Sequence, residues 1–127
     1  MPVDELNHYN LRVPAAAQAR VIEFYERMLG FEFRQNGRLL WLWRGERPLV
    51  HLTIVAEASM SAQPAGAIDH IAFSCRGLAA MQASFEAHAV PCRVKAYPDM
   101  GFTQMVVHDP VGLKIELNFA VEYPVSP

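Results

Sequence analysis

The sequence predicts an α+β fold built from two βαβββ modules, because the two halves of the chain repeat one another. Early in the first half runs Leu6-Asn7-His8-Tyr9-Asn10-Leu11, and 62 positions later runs Ile68-Asp69-His70-Ile71-Ala72-Phe73. Late in the first half runs Val50-His51-Leu52-Thr53-Ile54, answered 65 positions on by Ile115-Glu116-Leu117-Asn118-Phe119. Between those ends each half carries a helical stretch followed by apolar, β-like runs. At 127 residues the chain has a common size for one domain. We therefore read residues 1–127 as a single domain of two modules, at about 3–55 and about 67–119.

Residues 6–13 alternate loosely and read as a strand closed by Pro14. Ala15 to Leu29 read as a helix, since Val21, Ile22, Phe24, Tyr25, Met28 and Leu29 recur at three- and four-residue steps on one face. Gly30 stands where a left-handed C-terminal cap belongs. Phe31 to Arg34 form a second strand. Asn36-Gly37 is a hairpin dipeptide, leading into Leu39 to Trp43. Gly45-Glu46-Arg47-Pro48 turns the chain into Leu49 to Val55. Residues 56–66 are small, polar and turn-rich, as a linker should be. The pattern then restarts with a strand from Ala67 to Cys75 and a helix from Leu78 to Ala89. Strands at Cys92–Tyr97, Phe102–Val107 and Leu113–Phe119 follow. Asp109-Pro110-Val111-Gly112 has the proline and glycine placement of a β-turn, and the tail from Ala120 reads as an extended arm.

Composition narrows the function classes. With 52% hydrophobic and 19% charged residues the chain is too apolar for disorder. A net charge of −2 and the lack of a Lys/Arg run leave no footprint for nucleic acid. No apolar run approaches a membrane span, and Met1 to Glu5 lack the features of a signal peptide. Cys75 and Cys92 make neither a CxxC pair nor a disulfide framework. The expectation is a cytoplasmic protein with reduced thiols.

The repeat returns ligand-capable side chains to equivalent strand positions, which points to a duplicated module with one site shared by both copies. With these residues in view the chain resembles the vicinal oxygen chelate superfamily, the glyoxalase/bleomycin-resistance/extradiol-dioxygenase group. The resemblance spans residues 5–119. It rests on Leu6-Asn7-His8, Phe24-Tyr25-x-x-Met28-Leu29-Gly30-Phe31, Asp69-His70-Ile71-Ala72-Phe73 and Asp109-Pro110-x-Gly112-x-x-Ile115-Glu116-Leu117. It implies paired βαβββ modules forming a curled mixed-sheet cavity around one metal. It also implies that His8, His51, His70 and Glu116 occupy the four ligand positions, and that two chains pair as a homodimer. Imidazoles and a carboxylate without thiolate suit one divalent ion such as Fe, Ni, Zn or Mn.

Against that stands the plainer reading, in which each histidine is a hydrogen-bonded strand residue and Glu116 faces solvent. His88 and His108 read as exposed, and Trp41 and Trp43 as core or pocket wall. Arg12, Tyr97 and Gln104 are candidates to line the cavity, with a surface role weighed equally. The resemblance implies a small oxygen-rich substrate chelated to the metal, with Glu116 as the catalytic residue of a lyase or isomerase. Glyoxalase I usually has a glutamate where His51 stands, and no basic residue is evidently placed for a glutathione carboxylate. Two alternatives stay open: an extradiol Fe(II) dioxygenase using His8, His70 and Glu116, and a non-catalytic drug-binding protein.

Overall fold

Alternation along the strands sets the architecture, since one face of each strand is apolar and the other is not. The computed structural model of the chain describes residues 5–57, 68 and 70–120. The chain divides into two compact units, residues 1–62 and 63–127, parting within the predicted linker. Most of that linker, the tail beyond Ala120, and Asp69 of the second repeat motif lie outside the described residues.

Unit 1 comprises β1 (Tyr9–Pro14), helix α1 (Gln18–Glu23), β2 (Glu32–Asn36), β3 (Leu39–Arg44) and β4 (Arg47–Val55). Unit 2 comprises β5 (Ile71–Cys75), helix α2 (Leu78–Ala87), β6 (Arg93–Tyr97), β7 (Phe102–His108) and β8 (Lys114–Ala120). Each unit is thus βαβββ, as the repeat predicts. The sheets are open and mixed, ordered β1-β4-β3-β2 and β5-β8-β7-β6, with β1–β4 and β5–β8 parallel and the other pairs antiparallel. The apolar strands β3 and β8 therefore lie inside their sheets and offer no edge for pairing between chains.

In unit 1 the buried strand residues are Leu11, Val13, Leu40, Leu42, Val50 and Leu52, with Val21, Tyr25 and Met28 from the helical segment. In unit 2 they are Met105, Val107, Ile115, Leu117 and Phe119, with Phe85 from α2. The residues between these, on the opposite strand faces, include every sequence-predicted ligand that lies within a strand.

The predicted helix from Ala15 to Leu29 is irregular. A 3-10 turn at Ala15–Ala17 precedes α1, and a π-helical turn at Phe24–Met28 follows it. The wide turn buries Phe24, Tyr25 and Met28 together, and π-turns often accompany functional sites. Gly30 ends the segment at φ +76°, with Gly30 N–H donating to the Glu26 carbonyl (3.2 Å) and Phe31 N–H to that of Tyr25 (3.0 Å). The buried Tyr25 hydroxyl meets that of Tyr9 at 3.0 Å, tying the helical segment to the first residue of β1.

Asp109 shows how the second turn motif fixes β8. Its Oδ1 accepts from the backbone N–H of Val111 (3.0 Å) and Leu113 (2.9 Å), and it is almost fully buried. Gly112 completes the turn at φ +89°. Asp109→Ala would orphan the buried Leu113 N–H and the part-buried Val111 N–H, costing about 1–3 kcal/mol for the buried group. The expected result is a lower urea midpoint with an unchanged m-value.

Candidate functional site

The strand registers are the same in both units where the candidate residues stand. Asn10 pairs with His51 across β1–β4, and Ala72 pairs with Glu116 across β5–β8. His8 and His70 each lie two residues before those partners, just outside the first strand of their unit. Sequence placed both histidines within the strands; the strands begin at Tyr9 and Ile71 instead.

In unit 1 the exposed face of the sheet carries a row of stacked rings. His8 stacks on His51 with centroids 3.8 Å apart and planes 13° apart, and His51 stacks on Trp41 at 4.4 Å and 13°. Trp41 lies directly opposite His51 in the β3–β4 register. Trp43 follows at 6.1 Å, with the Arg34 guanidinium over its ring at 4.6 Å. The tryptophans are half-buried on this face. His8 Nδ1 meets Asn7 Oδ1 at 2.8 Å, and His51 Nε2 meets the Pro48 carbonyl at 3.0 Å. Since a carbonyl can only accept, His51 Nε2 carries its proton and Nδ1 its lone pair.

Burial pushes the His51 imidazole below its ordinary value of 6.5, the nearby His8 adds to the shift, and the Pro48 carbonyl opposes it. The unfolded chain therefore takes up this proton before the folded chain does as pH falls. Stability from this group is complete above 6.5 and lost as pH drops from there through the lowered folded value. Urea midpoints of the protein and of His51→Gln, followed from pH 7.5 to 5, are expected to show a shallower acid decline in the variant.

Unit 2 presents a polar pair in place of the stack. His70 Nε2 lies 3.3 Å from Glu116 Oε2, with side chains 37% and 16% exposed. Gln104 Nε2 donates to Glu116 Oε2 (3.0 Å) and to Asn118 Oδ1 (3.3 Å). Val106 stands opposite Glu116 as Trp41 does opposite His51. The smaller side chain leaves room for Gln104 to reach the carboxylate.

These geometries test the fit of a metal differently. Two N/O ligands at about 2.0–2.2 Å from one ion, at octahedral or tetrahedral angles, stand roughly 3.0–3.5 Å apart. His70 and Glu116 have that spacing and the right donor chemistry. The rings of His8 and His51 lie parallel, so their in-plane lone pairs do not converge, and ligation by both requires a ring to rotate. Among the described residues no three His, Cys, Asp or Glu side chains gather as a group that could hold an ion.

Other sequence candidates fall into place. Tyr97 and Gln104 line a concavity of about 350 Å³ in unit 2, while Arg12 is exposed on the His51 side of β1. His88 is exposed at the end of α2, its Nδ1 donating to the Ser84 carbonyl (2.8 Å), and His108 is exposed at the end of β7. Cys75 and Cys92 are free thiols. Among the described residues no helix is long and apolar enough to cross a membrane. Sequence reading missed Asn7, Pro48 and the basic residues of β6. The alternation Arg93-x-Lys95-x-Tyr97 was the signal for the last of these.

Each unit is a βαβββ repeat with candidate donors at one register position, and comparison with known proteins finds the same fold. The family model for the Glyoxalase/Bleomycin resistance protein/Dioxygenase superfamily matches residues 5–117, and the chain belongs to that superfamily. Among solved structures it is similar to a glyoxalase family protein from Bacillus anthracis, with TM-score 0.73 and 16% identity over 95% of this chain and 98% of that one. It is also similar to TnmS3, an antibiotic binding protein from Streptomyces sp. CB03234, with TM-score 0.69 and 18% identity over 95% and 99%. A third is the lactoylglutathione lyase of Agrobacterium tumefaciens, with TM-score 0.63 and 20% identity over 94% and 96%. No functionally curated protein matches it in sequence.

Proposed function

We propose that the protein is a metal-dependent lyase or isomerase acting on a small substrate that chelates a divalent ion through adjacent oxygens. The observation that carries this reading is the His70–Glu116 pair at the spacing of neighbouring ligands, steadied by Gln104. The sequence expectation adds His8 and His51 as further donors, and Fe, Ni, Zn or Mn as the ion. A bound divalent ion would supply Lewis acidity toward negative charge developing on the substrate oxygens. Glu116 has a second task as proton acceptor. It is held on a strand by a neutral amide donor, which orients the carboxylate without neutralising it. Tyr9, bonded to Tyr25 and adjacent to His8, fixes the start of β1 and so the position of that imidazole.

The test is metal analysis of protein purified without added metal, followed by assays with the hemithioacetal of methylglyoxal and glutathione and with catechols. Stoichiometric metal and turnover of an oxygen-rich substrate without O₂ uptake support the reading; metal-free protein that takes up none on addition overturns it. The reading includes a homodimer, consistent with the outer strands that each open sheet leaves. Sedimentation at micromolar concentration reads that directly.

A second reading, a non-catalytic drug-binding protein, is favoured by the row Arg34, Trp43, Trp41, His51 and His8. Flat aromatic molecules stack on such surfaces. Quenching of tryptophan fluorescence by a planar aromatic drug, with no metal requirement and no turnover, would favour this alternative.

A further inference from the structure

The chain has only two lysines, Lys95 and Lys114, and both line the same concavity in unit 2, with Arg93, Tyr97 and Gln104. The β-sheet register explains the convergence. Arg93 pairs with Val106, which pairs with Glu116; Lys95 pairs with Gln104, which pairs with Asn118. Directly opposed residues project from the same face of a sheet. Arg93 and Lys95 therefore share the face of Glu116, two strands from it, and Lys114 precedes Glu116 by two residues on β8. Neighbouring strands are about 4.8 Å apart, so the Arg93 backbone stands roughly 10 Å from that of Glu116. That span suits a small molecule with one end at the carboxylate and the other at the cations.

We propose that this concavity is an anion subsite, taking a carboxylate or phosphate group carried by the substrate that His70 and Glu116 engage. It rests on the proposed chelate chemistry for its place in catalysis, though anion binding itself needs no metal. Among the described residues, register puts one carboxylate on this face, Glu116, already engaged by His70 and Gln104. Arg93 and Lys95 enter no ion pair among those residues. Two cations held two residues apart on one strand face repel each other, and an anion between them relieves that repulsion. Arg93 supplies the planar fork suited to two anionic oxygens, and the Lys95 ammonium is held over the Tyr97 ring at 5.1 Å. Charged residues also protect exposed strand edges from pairing. That explains a lysine on β6 but not Lys114, which stands on the interior strand β8. The concavity, about 350 Å³, matches the lower end of ligand-site volumes.

The full-length protein is titrated with sodium phosphate and, separately, sodium acetate at constant ionic strength, followed by backbone amide NMR. Saturable shifts centred on residues 93–97 and 104–106, weakened at least tenfold in Arg93→Gln/Lys95→Gln, are expected, and the stronger titrant identifies the preferred group. Shifts spread over all arginine-bearing surfaces, or equal binding by the double variant, overturn the subsite. Metal content is measured on the same samples. A double variant that keeps its metal while losing the anion separates the two sites. An intact anion response in a protein that takes up no metal sinks the chelate reading alone.

Discussion

Glu116→Ala is expected to lose stoichiometric metal and to lower turnover by about a hundredfold to ten-thousandfold, the range for removing a positioned proton-transfer group. In the proposed reading the carboxylate would serve as ligand and as proton acceptor, so one substitution would remove both. Glu116→Gln separates charge from packing. Its amide oxygen still accepts from Gln104 Nε2, now 3.0 Å from the carboxylate, but the negative charge beside His70 is gone. Both variants should fold, since Glu116 lies on the polar face of β8 while Ile115, Leu117 and Phe119 fill the core. Metal content by elemental analysis and circular dichroism spectra decide the outcome. A Glu116→Ala protein with unchanged metal content removes Glu116 from the site.

Those parts of the site that follow from local periodicity were legible in the chain, and those that follow from long-range pairing were not. The 62- and 65-residue offsets place His8 with His70 and His51 with Glu116, and the parallel pairs Asn10–His51 and Ala72–Glu116 repeat that equivalence in the sheets. Gly30 was readable as a cap because glycine alone tolerates a left-handed backbone without cost. The π-helical turn at Phe24–Met28 was not, because Phe24, Tyr25 and Met28 satisfy an ordinary helical period equally well. Nor was the tight β3–β4 turn, where Arg44 pairs with Arg47 and Pro48 lies within β4. The proline suggested a longer break, yet its carbonyl is the partner of His51. No Lys/Arg run is present in the sequence, yet the β6–β7–β8 registers bring Arg93, Lys95 and Lys114 around one concavity. The Arg93-x-Lys95 alternation was visible in the chain, but the arrival of Lys114 beside it depends on pairing distant strands and leaves no trace in the linear sequence.

His51→Ala is expected to weaken metal binding much less than His70→Ala. For His51 to ligate beside His8 a ring must rotate, which costs its stacking between His8 and Trp41, although Nδ1 can bind while Nε2–H keeps the Pro48 carbonyl. Each of the two stacked pairs contributes about 0.5–1.5 kcal/mol beyond its buried area. Together these reduce the net gain from His51 ligation by roughly 1–3 kcal/mol, a factor of about 5–150 relative to an unencumbered histidine. His70 already stands at ligand spacing from Glu116. Equal losses of affinity in the two variants, measured by competition with a chromogenic chelator, would overturn that ranking. The same variant separates the chemistries. Four protein ligands leave two positions of an octahedral ion, enough for a chelating substrate but not for substrate and O₂ together. A lyase or isomerase is therefore expected to show no O₂ uptake with a catechol, before or after His51 is removed. Catechol-dependent O₂ consumption that persists or rises in His51→Ala would mean that His70, Glu116 and one further donor hold an iron open to oxygen, and the protein would then be a ring-cleaving dioxygenase.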